Sequence, residues 1–285
     1  MRETLCDGDA PNATRTRAGA LAARWRAAPV AAHNVRVRRR DAWSLGVLLS
    51  CAACAAPTPR LPGRALPPGC AQALLVTSAR WDATDATLQR WRLEDEGTWR
   101  AVGAAVPVTL GRAGLGWGLG LHDAGSAAGP DKREGDGRSP AGVFSIGTAF
   151  GYGAAAPQGM SWPYRRAGAR DYFIDDAGSA DYNRWRRIPE GEANQPGARW
   201  GSFERMRRDD HVYEVGAVIE HNERRVPGAG SAIFLHVWGG PGAPTSGCTA
   251  MSRDDVLTVL RWLEPAAAPV LVQAPVAALP SLRLR

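Results

Sequence analysis

The residues of this chain best suited to covalent chemistry are His236, at the end of an apolar run, and Cys248, after a loop rich in glycine and proline. Both stand in the stretch FLHVWGGPGAPTSGCTAM, Phe234 to Met251. A free thiol is a weak nucleophile until something lowers its pKa. A neighbouring imidazole does that by holding the thiolate as an ion pair, and it later returns the proton to a leaving amine. Gly247 lets a substrate carbonyl approach the main chain, where the N–H groups of Gly247 and Cys248 can form an oxyanion hole. Two other chemistries use the same residue types. His221, His236 and Cys248 have the donors of a Cys/His₂ zinc centre. Against it, neither H-x₃-H nor C-x₂-C spacing is present, and a hairpin would carry His221 to its loop end, away from His236. Alternatively, His236 is a hydrogen-bonded core histidine and Cys248 a small buried hydrophobe.

The elements that must position these residues read mostly as strands. Residues 71–79 (AQALLVTSA), 87–94 (TLQRWRLE) and 98–111 (TWRAVGAAVPVTLG) are short runs with β-branched or aromatic residues, the last two joined by a turn at 95–97. Similar runs lie at 142–151, 171–175, 211–222, 231–238 and 268–275. There is no repeat and no alternation of strand with long helix, which argues against a parallel βαβ sheet. One helix is well signed. Ser252 caps it, Asp255 completes an S-x-x-D box, Val256, Leu257, Leu260 and Leu263 share a face, and Pro265 ends it. Cys248 is therefore expected just before a helix N-terminus, where the dipole favours negative charge. The fold class is mainly β and antiparallel, with one or two short helices and long Gly-rich loops.

Those loops are dense in unusual residues. Residues 111–142 are too long and glycine-rich for a simple connector, and loops of that length in a compact domain are functional or disordered. In 151–210, Trp162, Tyr164, Tyr172, Tyr182, Trp185 and Trp200 are scattered through loop-like sequence. They either line a groove for an extended ligand or plug the loops onto the sheet.

Composition sets the wider bounds. The basic residues are nearly all Arg, Lys132 being the only lysine, and the sequence pI of about 9.6 invites a nucleic-acid partner. The distribution argues against one. Residues 1–56 hold 9 Arg and 4 acidic residues, so five of the seven net positive charges lie there and the body is nearly balanced. Within that segment, 35–40 is basic and Ala42–Ala56 is apolar before Pro57, the pattern of a secretory signal over 35–56. It is too short for a transmembrane helix, which needs about 20 apolar residues. Residues 1–34 precede where such a signal begins, so the true start is expected near Val35. Residues 48–51 loosely resemble a lipoprotein cleavage box, with membrane attachment only if Cys51 is lipidated. A Pro-rich linker (57–70), a catalytic domain (71–275) and a tail (276–285) complete the organisation. The mature chain then keeps Cys70 and Cys248, which could pair as a disulfide in an oxidising compartment.

Four stretches in order carry a family resemblance: DGRSPAGVFSIGTAFGY (136–152), DDAGSADYNRW (175–185), WGSFERM (200–206) and GSAIFLHVWGGPGAPTSGCTAM (230–251). Together they resemble the L,D-transpeptidase (YkuD-like) catalytic family, and more narrowly a branch whose loop reads P-T-x-G-C-T-A-M. The resemblance spans roughly 71–275 and implies a β-sandwich-like fold and a bacterial cell-wall role in the periplasm or cell envelope. It implies a cysteine that attacks the carbonyl of the third residue of a peptidoglycan stem peptide and releases the terminal D-alanine. By position, Cys248 is the nucleophile, His236 the proton acceptor and donor, and Gly247 part of the oxyanion hole. Ser246 stands where a second histidine is frequent, and Ala250 where an arginine is common. Arg138, Ser246, Trp238 and Asn222 are expected substrate contacts. The resemblance implies no metal or organic cofactor. The same site would serve an L,D-carboxypeptidase, and a degenerate one a wall-binding module.

Overall fold

The structure is a computed structural model, and it describes residues 61–62, 66–95, 97–123 and 128–284. The expected signal, the start near Val35 and the lipidation position Cys51 lie outside the described residues. Strand β1 (Gln72–Ser78) is buried along its whole length, as an apolar run covered on both faces requires. It pairs antiparallel with β2 (Asp85–Leu93), which pairs antiparallel with β3 (Trp99–Thr109). β4 (Leu115–Trp117) lies parallel to the start of β5 (Ser139–Gly151), and β6 (Tyr164–Arg166) parallel to its end.

A small separate sheet follows, in the order β8 (Arg184–Arg187), β7 (Asp171–Ile174), β9 (Glu204–Arg205). The chain then returns through β10 (Val215–Ile219), β11 (Phe234–Val237), β12 (Thr249–Met251), helix α1 (Arg253–Trp262) and β13 (Val270–Pro275). The large sheet runs β10-β11-β12-β3-β2-β1-β13-β5-β4, and β10 also pairs with β5. The layers of the expected sandwich are thus joined edge to edge. The sheet is mixed rather than purely antiparallel: β1–β13 and β11–β12 are parallel too. Parallel neighbours need a long connection, and the Gly/Pro loop between β11 and β12 supplies it.

Strand alternation divides the interior in two. Leu235 and Val237 of β11 join the main core with β1, β5, β13 and α1. Phe234 turns to the other side, into a second cluster with Phe150, Phe173, Met206, Tyr213 and Cys248. Phe173 of the small sheet meets Phe234 at 5.1 Å, ring to ring. The small sheet therefore leans on the strand that carries the histidine.

The scattered loop aromatics turn out to anchor the loops. Tyr172, Tyr182 and Trp200 are buried, Trp162 Nε1 donates to Gly147 O at 2.7 Å, and Tyr164 donates to Gly153 O at 2.8 Å. Helix α1 matches expectation: Ser252 Oγ accepts from the Asp255 N–H, and Val256, Leu257 and Leu260 are buried. Its relation to Cys248 does not. Strand β12 intervenes, and three residues of strand span about 10 Å. That exceeds the first-turn reach of a helix dipole.

Candidate active site

The register of β11 and β12 brings the two chemical residues together. His236 has Ala250 as its Cα partner, and Cys248 stands two residues before Ala250. In a strand, residues two apart share a face, so Phe234, His236, Cys248 and Ala250 all point the same way. On the other side of β11, His236 faces Gly216 of β10. A side chain at Gly216 would meet Phe150 at 2.8 Å and Leu235 O at 2.6 Å, so the glycine leaves the aromatic cluster its place beside the histidine.

The cysteine loop is stitched down by hydroxyls. Cys248 O accepts from Ser139 Oγ at 2.8 Å and from Thr245 Oγ1 at 2.7 Å, and Ser139 Oγ accepts from the Gly111 N–H at 2.8 Å. Gly247 has φ +150°, and a Cβ there would lie 3.0 Å from Arg138 O. Glycine is required at this close approach. The Gly247 N–H, expected to hold an oxyanion, instead donates to Thr245 Oγ1 at 3.1 Å. The Cys248 N–H donates no hydrogen bond among the described residues and is the donor left for that task.

Cys248 is 8% exposed and His236 5%. The sulfur accepts from the Phe234 N–H at 3.3 Å and its proton points to Ala232 O at 3.6 Å. His236 Nδ1–H donates to Val237 O at 2.7 Å, which leaves the lone pair on Nε2. Burial pushes the Cys248 thiol up to about 12, with Glu204 adding and the Phe234 N–H, Lys132 and Arg208 opposing. Burial also pulls His236 down to about 4, against the carbonyls of Val237 and Val212. The resting pair is therefore neutral thiol and neutral imidazole, and the ion pair suggested by residue type is not its ground state. Low-dielectric burial disfavours both charges, and no direct hydrogen bond offsets that cost.

Both residues line one cavity of about 410 Å³. Its walls carry Arg112, Lys132, Glu134, Asp175, Glu204 and Arg208, together with Tyr213 and Ser246. Of the expected substrate contacts, only Ser246 is there. Arg138 Nη1 donates to Ala113 O at 2.6 Å and Leu115 O at 2.9 Å, so its guanidinium holds the β4 strand. Asn222 binds Val226 O and Gly230 O, both at 3.0 Å, and organises its own turn at φ +56°. Trp238 bonds through its backbone, its carbonyl meeting His211 Nε2 at 3.1 Å and its N–H donating to Met251 O at 2.9 Å. None of these three lines the cavity.

The zinc alternative fails on geometry. His221 Nδ1 accepts from the Leu119 N–H at 3.2 Å and Nε2 meets Ala229 O at 3.0 Å, so both ring nitrogens are spent away from His236. Cys70 and Cys248 are both free and sit in different clusters, Cys70 in the main core.

The charged wall residues come from four separate loops and strand ends, and residue type alone did not single them out. Glu204 lies within WGSFERM and Lys132 is the lone lysine, which were the available signals.

The model of the L,D-transpeptidase catalytic domain (YkuD) matches residues 85–272. No curated protein and no solved structure matches the chain. The matched span contains every strand from β2 to β12, helix α1 and both His236 and Cys248, and on that coverage the chain belongs to the L,D-transpeptidase catalytic domain family.

Proposed function

We propose that this chain is an exported peptidoglycan L,D-transpeptidase with Cys248 as nucleophile and His236 as general base and acid. The observation that carries it is the convergence of the two residues on one cavity, with the Nε2 lone pair of His236 unspent. His236 Nε2 takes the thiol proton as the sulfur attacks the carbonyl of the third stem residue. The Cys248 N–H donates to the oxyanion. The C–N bond breaks, the terminal D-alanine leaves with the proton returned by His236, and a thioester remains. An amine of a neighbouring stem then resolves the thioester into a crosslink. Resolution by water would make the chain an L,D-carboxypeptidase. The loop Pro244–Met251 reads P-T-S-G-C-T-A-M, which supports the branch of that signature, and the proposed site of action is the periplasm or cell envelope.

Intact mass measurement after incubation with a carbapenem tests the assignment. Wild type should gain one adduct, which Cys248→Ala lacks. An adduct of equal yield on Cys248→Ala, or none on wild type, overturns the enzymatic reading and leaves a wall-binding module.

A further inference from the structure

The charges around the Cys248 cavity are not equally spoken for. Lys132 is neutralised by Asp136 at 2.7 Å and Arg208 by Asp210 at 2.8 Å. Glu134 accepts from Tyr182 at 2.5 Å and from Ser231 at 2.7 Å. Glu204 differs: its nearest cation is Arg208 Nη1 at 3.9 Å, and its carboxylate makes no hydrogen bond among the described residues. It is the register partner of Phe173, whose ring faces Phe234, so its side chain is turned toward the Cys248 side. Asp175, just past the end of β7, lines the same cavity; Ser202 hydrogen-bonds its carboxylate, while Oδ1 is buried without a hydrogen-bond partner.

A third polar group stands with them. Tyr213 is 5% exposed, lines the cavity and packs edge-on against His236 at 5.2 Å. Its phenol makes no hydrogen bond among the described residues. Two carboxylates that only accept and a phenolic oxygen without a donor match the three N–H donors of a primary ammonium. Tyr213 stands in the cavity wall, where a ligand group can reach its phenol. Burial raises the pKa of both Asp175 and Glu204, with the Asp175 charge adding at Glu204, which suits either carboxylate to accept a proton.

We propose that Glu204, with Asp175 and the Tyr213 phenol, forms the acceptor subsite of the Cys248 centre, holding a primary ammonium and taking its first proton. The inference rests on the transpeptidase reading above. Glu204 accepts one proton from the ammonium, and the free amine attacks the thioester carbonyl. The C–N bond forms, the second amine proton passes through His236 to sulfur, and the C–S bond breaks. Cys248 is regenerated as thiol, and Glu204 releases its proton to solvent. A second, open groove of about 820 Å³ shares Glu204 and Arg208 with the cavity and carries Arg205 and Arg207 together with Asp209 and Asp210. It gives a peptide that bears the amine a polar, charge-balanced approach to Glu204.

Two half-reactions separate this role from a merely structural one. Acylation is read by carbapenem adduct formation. Transfer is read as the ratio of aminolysis to hydrolysis when a stem-peptide acyl donor meets a peptide with a free side-chain amine. Glu204→Gln should acylate at least as fast as wild type, because the lost charge is one that raises the Cys248 thiol. Its aminolysis ratio should fall on the order of tenfold, with a raised KM for the amine, as expected for one charge-assisted hydrogen bond used in the second step. Asp175→Asn should shift the ratio the same way, and it carries the test if Glu204→Gln does not melt cooperatively. Equal losses in acylation and transfer, or an unchanged ratio, overturn the subsite. Wild type that acylates but is resolved only by water overturns it too and leaves the Cys/His assignment standing. Failure of wild type to acylate overturns both.

Discussion

Alkylation of Cys248 by iodoacetamide follows its thiolate, and burial sets how little of it there is. With the pKa raised from 9.0 to about 12, the thiolate fraction at pH 7 falls about a thousandfold. A more basic thiolate is also a better nucleophile. A Brønsted slope of about 0.4–0.5 over three units returns a factor of about fifteen to thirty. The net expectation is alkylation about thirty- to sixtyfold slower than in the unfolded chain at pH 7, before any effect of restricted access. The rate should also climb about tenfold per pH unit between about pH 7 and 10 with no plateau. Peptide-resolved mass spectrometry over a pH series separates Cys248 from Cys70, which burial likewise holds high, at about 11. A thiolate–imidazolium pair gives the opposite profile, fast and flat from mildly acidic pH upward. A plateau below about pH 8, or a pH 7 rate matching the unfolded chain, would refute the neutral-pair argument.

Acid should weaken the fold through its buried histidines. His221 and His236 are each drawn from 6.5 to about 4, so the folded state favours their neutral forms. That contribution is present above about pH 6.5 and is lost as pH falls toward 4, up to about 3 kcal/mol for each ring. The raised carboxylates of Asp175, Glu204 and Glu220 work in the opposite sense, so the comparison of variants is the readout. Urea midpoints of His236→Asn should depend less on pH than those of wild type between about pH 7 and 4.5, and equal slopes would rule out the burial account. Ser139→Ala strips a donor from Cys248 O and an acceptor from the Gly111 N–H. It should cost about 1–3 kcal/mol in urea denaturation, and an unchanged midpoint would show that the cysteine loop is not held there.

The long strands were legible because their burial follows from their own residues. QALLVTS reads as a covered strand before any partner is known, and the S-x-x-D box announces α1. The missed strands are short: β4, β6, β8, β9 and β12 span two to four residues, several with charged or small side chains. Their pairing is decided by partners far away in sequence, such as Ser139 for Leu115 and Phe173 for Glu204. Propensity has little purchase on so few residues when tertiary contacts set the outcome. Missing β12 is what set Cys248 against a helix N-terminus.

The site divides along the same line. His236 and Cys248 were visible because one loop joins them, and the parallel register of β11 and β12 turns that local pattern into a shared face. The cavity walls have no such signature, since Arg112, Lys132, Asp175, Glu204 and Arg208 come from segments that meet only in the folded sheet. Arg138 shows the converse error. Residue type makes it a free cation near the cysteine, but the carbonyls of Ala113 and Leu115 already occupy its guanidinium. Charge at a site is therefore set by which groups remain unspent after the backbone is satisfied. By that measure the carboxylates of Glu204 and Asp175 have bonding left to give, whereas Arg138, the arginine first sought, already holds two backbone carbonyls. On the proposed mechanism, a cysteine and a histidine that both rest neutral must draw their reactivity from what binds beside them. On the same proposal, the acids at the cavity wall give the second half-reaction that partner.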